Sequence, residues 1–266
     1  MKLVTQKKFV PKKSFGQNFL KSELALRKII EAGEIKENDV ILEIGPGKGK
    51  LTEKLLERAK LVIAVEKDRE LFEFLKIKFE KEIKANTLIL ACEDILNFNI
   101  GKKKYKIIAN IPYNITGAIL KKFLTAGEQP QNMVLMVQHE VAKRILARDG
   151  KESILSISVK AYGEIKMIMK VDARYFSPAP KVDSAIITIK NISHKKLVNL
   201  AGQPTFNEKR FWTIVKTGFA HKRKRLGNNL KSIFSAPQGQ SLRSLGLGDK
   251  RAEDLSLADW IALTKI

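Results

Sequence analysis

Cysteine is almost absent: Cys92 is the only one in 266 residues, so no disulfide can form within the chain and a reducing compartment is expected. Histidine is scarce too, with His139, His194 and His221 far apart, and no spacing of His and Cys suits a metal site. Acidic residues also run short, 28 Asp and Glu against 50 Lys and Arg, for a formal net charge of +22. Such an excess points to nucleic acid or another anionic surface as partner. No apolar run approaches the length of a membrane span, so no membrane partner is expected. The start, Met1 to Lys13, is basic and lacks the apolar core of a secretory signal; it reads as a basic arm, and the expected location is the cytoplasm. At 44% hydrophobic and 29% charged, the chain has ample material for a core. Its length suits one large domain with or without a small one.

Short apolar runs alternate with amphipathic segments through the first two thirds. Val40–Ile44, Leu61–Val65, Thr87–Ala91, Lys106–Ala109 and Met133–Val137 read as strands. Leu71, Phe74, Leu75 and Phe79 between two of them fall at helical spacing, as do Val141, Ile145 and Leu146 after the last. Alternation of this kind predicts an α/β fold, a parallel sheet with helices on both faces. Ser153 to Tyr162 is read as helix, and alternating residues from Ile165 to Val171 and from Ala185 to Ile189 as returning strands. From about Asn191 the pattern changes to helices over Asn207–Ala220 and after Ser256. The expected division is therefore a domain over 1–191, basic arm included, and a small helical domain over 192–266, joined by the polar stretch Ser193–Pro204.

Four strand ends carry candidate chemistry. Gly45-Pro46-Gly47-Lys48-Gly49 follows the first strand, where glycines permit positive φ and close approach of a ligand to backbone. It is neither a P-loop nor G-x-G-x-x-G, since the third glycine comes one residue early. Glu66, 23 residues after Glu43, suits a carboxylate accepting ribose hydroxyls, and Asp94 one accepting an amino proton. Asn110-Ile111-Pro112-Tyr113 ends the fourth strand. The Asn110 side chain and the Ile111 carbonyl can each accept one N–H of an exocyclic amine, Pro112 holds both acceptors in place, and Tyr113 can stack on a base. The same four residues also suit an ordinary strand-end turn.

The order Phe15-Gly16-Gln17-Asn18-Phe19-Leu20, Glu43-x-Gly45-x-Gly47-x-Gly49, Glu66, Asp94, Asn110-Ile111-Pro112-Tyr113 and Phe176-x-Pro178-x-Pro180-Lys181-Val182-x-Ser184 resembles the ribosomal RNA adenine dimethyltransferases over nearly the whole chain. That family includes small-subunit enzymes and the erythromycin-resistance methylases of large-subunit RNA. The resemblance implies a Rossmann-like, seven-stranded, mostly parallel sheet that binds S-adenosylmethionine, followed by a small all-α domain that binds RNA. It implies Gln17, Asn18, Leu20, Gly45, Gly47, Glu66, Lys67, Asp94, Ile95 and Asn110 as cofactor contacts. Asn110, Ile111, Pro112 and Tyr113 become the catalytic segment, with Phe176 as a second base-stacking ring; a core aromatic in a proline-rich turn is the other reading of Phe176. Small-subunit ribosomal RNA is the implied partner, and the protein is expected to act as a monomer. His221-Lys222-Arg223-Lys224-Arg225, at the end of a helix, suits that helix's dipole, but four adjacent cations exceed that need and suit phosphate contact. Lys143 and Arg144 are RNA-facing or merely solvated.

Overall fold

The computed structural model describes residues 10–12, 15–202 and 206–266; most of the expected basic arm, and Pro204 of the expected linker, lie outside them. By packing, the chain forms two units. One ends at Ala142 and resumes over Lys166–Asn191; the other comprises Lys143–Ile165 and Ile192–Ile266. The expected single division at 191/192 thus becomes three, because Lys143–Ile165 groups with the helical unit.

The first unit is built on a seven-stranded sheet: β1 (Val40–Ile44), β2 (Leu61–Glu66), β3 (Leu88–Cys92), β4 (Lys106–Asn110), β5 (Met133–Gln138), β6 (Glu164–Val171) and β7 (Ser184–Lys190). Their order is β3-β2-β1-β4-β5-β7-β6. The first five run parallel, and β7 pairs antiparallel with β5, Gln138 opposite Ser184. Ile41, Leu42, Ile107 and Ile108 are fully buried, which is why the inner strands read as unbroken apolar runs rather than alternating ones. Each such side chain contributes roughly 1.5–3 kcal/mol on burial. β6 lies at the sheet edge, and its exposed Glu164, Lys166 and Lys170 keep the alternation visible in sequence.

Local chemistry sets the helix ends. Ser22 caps the helix Glu23–Gly33 through its hydroxyl, which accepts the Ala25 N–H, and this helix buries Ala25, Leu26, Ile29 and Ile30 along one stripe. Asp68 caps Arg69–Lys78 in the same way. The chain steps outward from β1 to β2 to β3, then returns to place β4 on the other side of β1. That reversal makes a topological switch point between β1 and β4, where an open sheet leaves a crevice beyond its strand ends.

The second unit packs Ile154–Tyr162, Glu208–Gly218, Leu226–Leu230, Ala236–Ser244 and Leu257–Leu263. Trp260 is fully buried and stacks on Phe219 at 5.4 Å between ring centroids. A Cβ on Gly218 would lie 2.4 Å from the Trp260 ring, so a glycine is required at that approach. Within the expected polar linker a further helix forms, Lys195–Ala201, burying Leu197 and Ala201. Its apolar stripe has only those two members one turn apart, too short to register as a period. No helix among the described residues is long and apolar enough to cross a membrane.

Candidate active site

A crevice of about 360 Å³ opens at the switch point, bounded by the ends of β1, β2, β3 and β4. Its floor is the glycine turn. Gly45 and Gly47 both hold positive φ, 66° and 60°, and the Gly45 N–H donates to the Val65 carbonyl at 3.0 Å. A Cβ on Gly47 would come 3.1 Å from the Phe19 ring, so any side chain there would press on the segment that covers the crevice. A backbone left bare in this way can lie directly against a ligand.

Carboxylates line the next wall. Glu66 ends β2 almost fully buried, its two oxygens accepting the N–H groups of Gly47 at 3.1 Å and Asp68 at 2.9 Å. Burial raises its pKa, and those two backbone donors oppose the rise only in part. Asp68 gathers the covering segment: it accepts from Lys12 Nζ at 2.7 Å and Gln17 Nε2 at 2.8 Å. Burial acts to raise the Asp68 carboxyl, but these two partners outweigh it and hold the group below the usual carboxylate range. Asp94 is held low by the Lys67 ammonium at 2.8 Å and by the Leu96 N–H at 2.9 Å. Glu43, one residue before the end of β1, is 1% exposed and its Oε2 has no hydrogen-bond partner. Burial pushes this carboxyl up to about 8, the Thr52 hydroxyl beside it opposing and the charge of Glu66 adding to the shift.

Beside the glycine turn stands the Asn110–Tyr113 segment, Pro112 Cδ lying 3.7 Å from where a Cβ on Gly45 would be. Asn110 closes β4, and its Nδ2 donates to the Asn18 carbonyl at 3.2 Å. A carbonyl accepts only, so this bond makes Oδ1 the acceptor end of the amide. Pro112, with φ −60° and ψ 127°, leads the chain from Ile111 into the short turn Tyr113–Ile115. The Tyr113 hydroxyl bonds to Ser184 Oγ, and its carbonyl accepts from Thr116 Oγ1 at 3.0 Å. Asn110, Ile111, Tyr113 and the bare glycine turn thus line one cleft.

A model of the ribosomal RNA adenine dimethylases matches residues 8–266. The chain belongs to that family. It is 40% identical over 268 residues to the ribosomal RNA small subunit methyltransferase A of Acaryochloris marina, covering 96% of each chain. It is 38% identical to the protein of the same name from Fusobacterium nucleatum, covering 97% of this chain and 98% of that one. Among solved structures it resembles a dimethyladenosine transferase from Plasmodium falciparum, with TM-score 0.79 and 28% identity over 92% of this chain and 95% of that chain. It also resembles the 23S rRNA methyltransferase ErmE, with TM-score 0.75 and 25% identity over 93% of this chain and 98% of that one.

In this adenine dimethylase, Gln17, Asn18, Leu20, Gly45, Gly47, Glu66, Lys67, Asp94, Ile95, Asn110, Ile111, Pro112 and Tyr113 all line the one crevice. Phe176 does not join them. It is 2% exposed, pairs with Leu20 in a two-residue antiparallel ribbon and packs in the core, while Ser177, the next residue, reaches the crevice lining. Strand alternation explains the exchange, since neighbouring residues point to opposite faces. Two further residues matter here: Glu43, which lines the crevice, and Asp68, which holds Lys12 and Gln17 beside it. Asp68 sits two residues past Glu66 and, as a helix cap, carries a recognisable signal; its ties to Lys12 and Gln17 across more than 50 residues do not. Glu43 hides its role because burial cannot be read from one glutamate in an apolar strand.

The basic cluster lies in the second unit. The preceding helix stops at Gly218, so His221–Arg225 form the turn before Leu226–Leu230 rather than the helix end. Asn229 ties that turn down, donating to the carbonyls of Gly218 at 2.6 Å and His221 at 3.1 Å. Arg225 is engaged by Asp249 at 2.7 Å, while Lys222, Arg223 and Lys224 are exposed. Lys143 and Arg144 are exposed as well.

Proposed function

We infer that this protein transfers methyl groups from S-adenosylmethionine to N6 of two adjacent adenines near the 3′ end of small-subunit ribosomal RNA, giving N6,N6-dimethyladenosine. The observation that carries this reading is the Asn110 amide, oriented by Asn18 so that its oxygen is the acceptor end, in a segment that lines the switch-point crevice beside the glycine turn. Family membership and the small-subunit relatives support the target.

The crevice fits the cofactor in two respects: a glycine turn that a Cβ would crowd, and acids at the ends of β2 and just past β3. Gly45, Gly47, Gln17 and Asn18 would hold its amino-acid part, Glu66 the ribose, and Asp94 with Lys67 and Ile95 the adenine ring. When bound, it supplies an electrophilic methyl. Adenine N6 is a poor nucleophile because its lone pair is delocalised into the ring. Asn110 Oδ1 and the Ile111 carbonyl accept its two N–H groups and favour the geometry in which that pair is localised. As N6 gains positive charge, the same acceptors stabilise it, a preorganised electrostatic contribution. Tyr113 stacks on the base, which must first leave its own stack at a cost of about a few kcal/mol.

The test is transfer of labelled methyl to unmethylated small subunits and, separately, to large-subunit RNA, with products mapped by mass spectrometry. Dimethyladenosine at two adjacent small-subunit positions is expected. Labelling of large-subunit RNA alone would overturn the target, and no transfer to either would overturn the activity.

The exposed cations of the second unit are read as phosphate contacts. Replacing Lys222, Arg223 and Lys224 together by alanine is expected to weaken RNA binding and to flatten its salt dependence by a slope of about 2–3 in log–log terms. Filter binding across a salt series measures this; an unchanged slope places the RNA face elsewhere.

A further inference from the structure

Tyr113 and Ser184 lie 71 residues apart, in two different sequence motifs, and are joined by a hydrogen bond of 2.5 Å between their hydroxyls. Ser184 is fully buried at the start of β7, opposite Gln138, so water cannot stand in for its hydroxyl. Tyr113 is half-buried on the crevice wall. Its backbone end is held by Thr116 Oγ1 and its far end by Ser184 Oγ. With both ends tied, the long axis of the ring is fixed and only rotation about that axis remains.

A ring that stacks on a flat base needs this. Stacking falls off with tilt and offset, and displacement of a positioning group by 1 Å can cost about a hundredfold in rate. An unanchored tyrosine at the rim of an open crevice has two free torsions, and its hydroxyl prefers water to an apolar wall.

We propose that Ser184 is a positioning residue for the methyl transfer: it anchors the Tyr113 hydroxyl and thereby sets the ring against which the target adenine lies. Ser184 touches neither cofactor nor substrate. The proposal rests on the reading of Tyr113 as the base-stacking ring.

The experiment compares Ser184→Ala, Tyr113→Phe, the double variant and Tyr113→Ala, measuring kcat and KM for transfer to small subunits together with cofactor affinity and Tm. Ser184→Ala and Tyr113→Phe are each expected to lower kcat by about tenfold with cofactor affinity retained. The double variant is expected to be no worse than either single one, because all three break the same bond. Ser184→Thr, which restores a hydroxyl, is expected to recover most of the rate. Wild-type kcat in Ser184→Ala, or losses that multiply in the double variant, would overturn the anchor. Should Ser184→Ala fail to fold, Tyr113→Phe cuts the same bond from the half-exposed side, and an unchanged kcat there overturns the anchor equally. Tyr113→Ala separates the two levels: if it keeps full kcat, the stacking reading fails and the anchor with it. If it is inactive while Ser184→Ala is fully active, the anchor alone fails.

Discussion

Replacing Asn110 by alanine is expected to reduce methyl transfer by about a thousandfold while leaving cofactor affinity within a small factor of wild type. The large effect follows from where the amide acts. On the proposed mechanism its oxygen is a preorganised acceptor for a group that becomes cationic only as the methyl arrives, so the interaction is stronger in the transition state than in the ground state. The small effect on the cofactor follows from how widely that crevice is shared, with the glycine turn, Glu66 and Asp94 all contributing wall. Asn110→Asp sharpens the test. It keeps an acceptor but loses the N–H that Asn18 accepts at 3.2 Å, setting a carboxylate against a carbonyl. Rotation of the side chain is the expected relief, and with it comes a loss comparable to alanine. Single-turnover rates and calorimetric cofactor binding measure both variants. An Asn110→Ala protein with full single-turnover rate would remove the amide from the mechanism.

The contrast between Asn110 and Phe176 shows what a sequence carries and what it withholds. The inner strands are legible because burial on both faces demands unbroken apolar runs, and their ends then fall where the runs stop. Glu66, Asp94 and Asn110 sit at or within two residues of such ends, so their convergence follows from the parallel order of β1 to β4. Phe176 lies instead in a two-residue ribbon whose partner, Leu20, is more than 150 residues away. Which of two adjacent residues faces the crevice there depends on that pairing, and no local period encodes it. The same holds for Asp68, whose cap is written in its own helix while its hold on Lys12 and Gln17 is written in the tertiary fold. Lys143–Ile165 joins the helical unit through packing between segments distant in sequence, for instance the Glu152 N–H donating to the Glu253 carbonyl at 2.7 Å.

Glu43 gives rise to the second large effect, on stability rather than rate. In the folded protein its carboxyl titrates near 8, against an ordinary value of 4.5, because burial disfavours the charge. Below pH 4.5 both folded and unfolded chains carry the proton and the group adds no pH dependence. Between 4.5 and 8 the unfolded chain releases it while the folded chain keeps it, so stability falls as pH rises. Above 8 both are ionised and the loss levels off. At 1.36 kcal/mol per pKa unit the full window amounts to roughly 5 kcal/mol, a large share of the 5–15 kcal/mol typical of a domain. Glu43→Gln removes the ionisation while preserving shape. It is expected to match wild type within about 1 kcal/mol at pH 5 and to exceed it by roughly 5 kcal/mol at pH 9. Urea unfolding of both proteins at pH 5, 7 and 9 measures the difference. Glu66, whose pKa burial also raises, is present in both proteins, so its own burial is common to them and only its repulsion with an ionised Glu43 differs. A difference that stays flat with pH would mean that Glu43 is ionised in the folded crevice, with Oε2 solvated or paired. A difference that grows through the window would mean that one of the two neighbouring acids stays neutral at physiological pH, which removes a repulsive charge from beside Glu66 and favours the ionised form of the group proposed to receive the ribose.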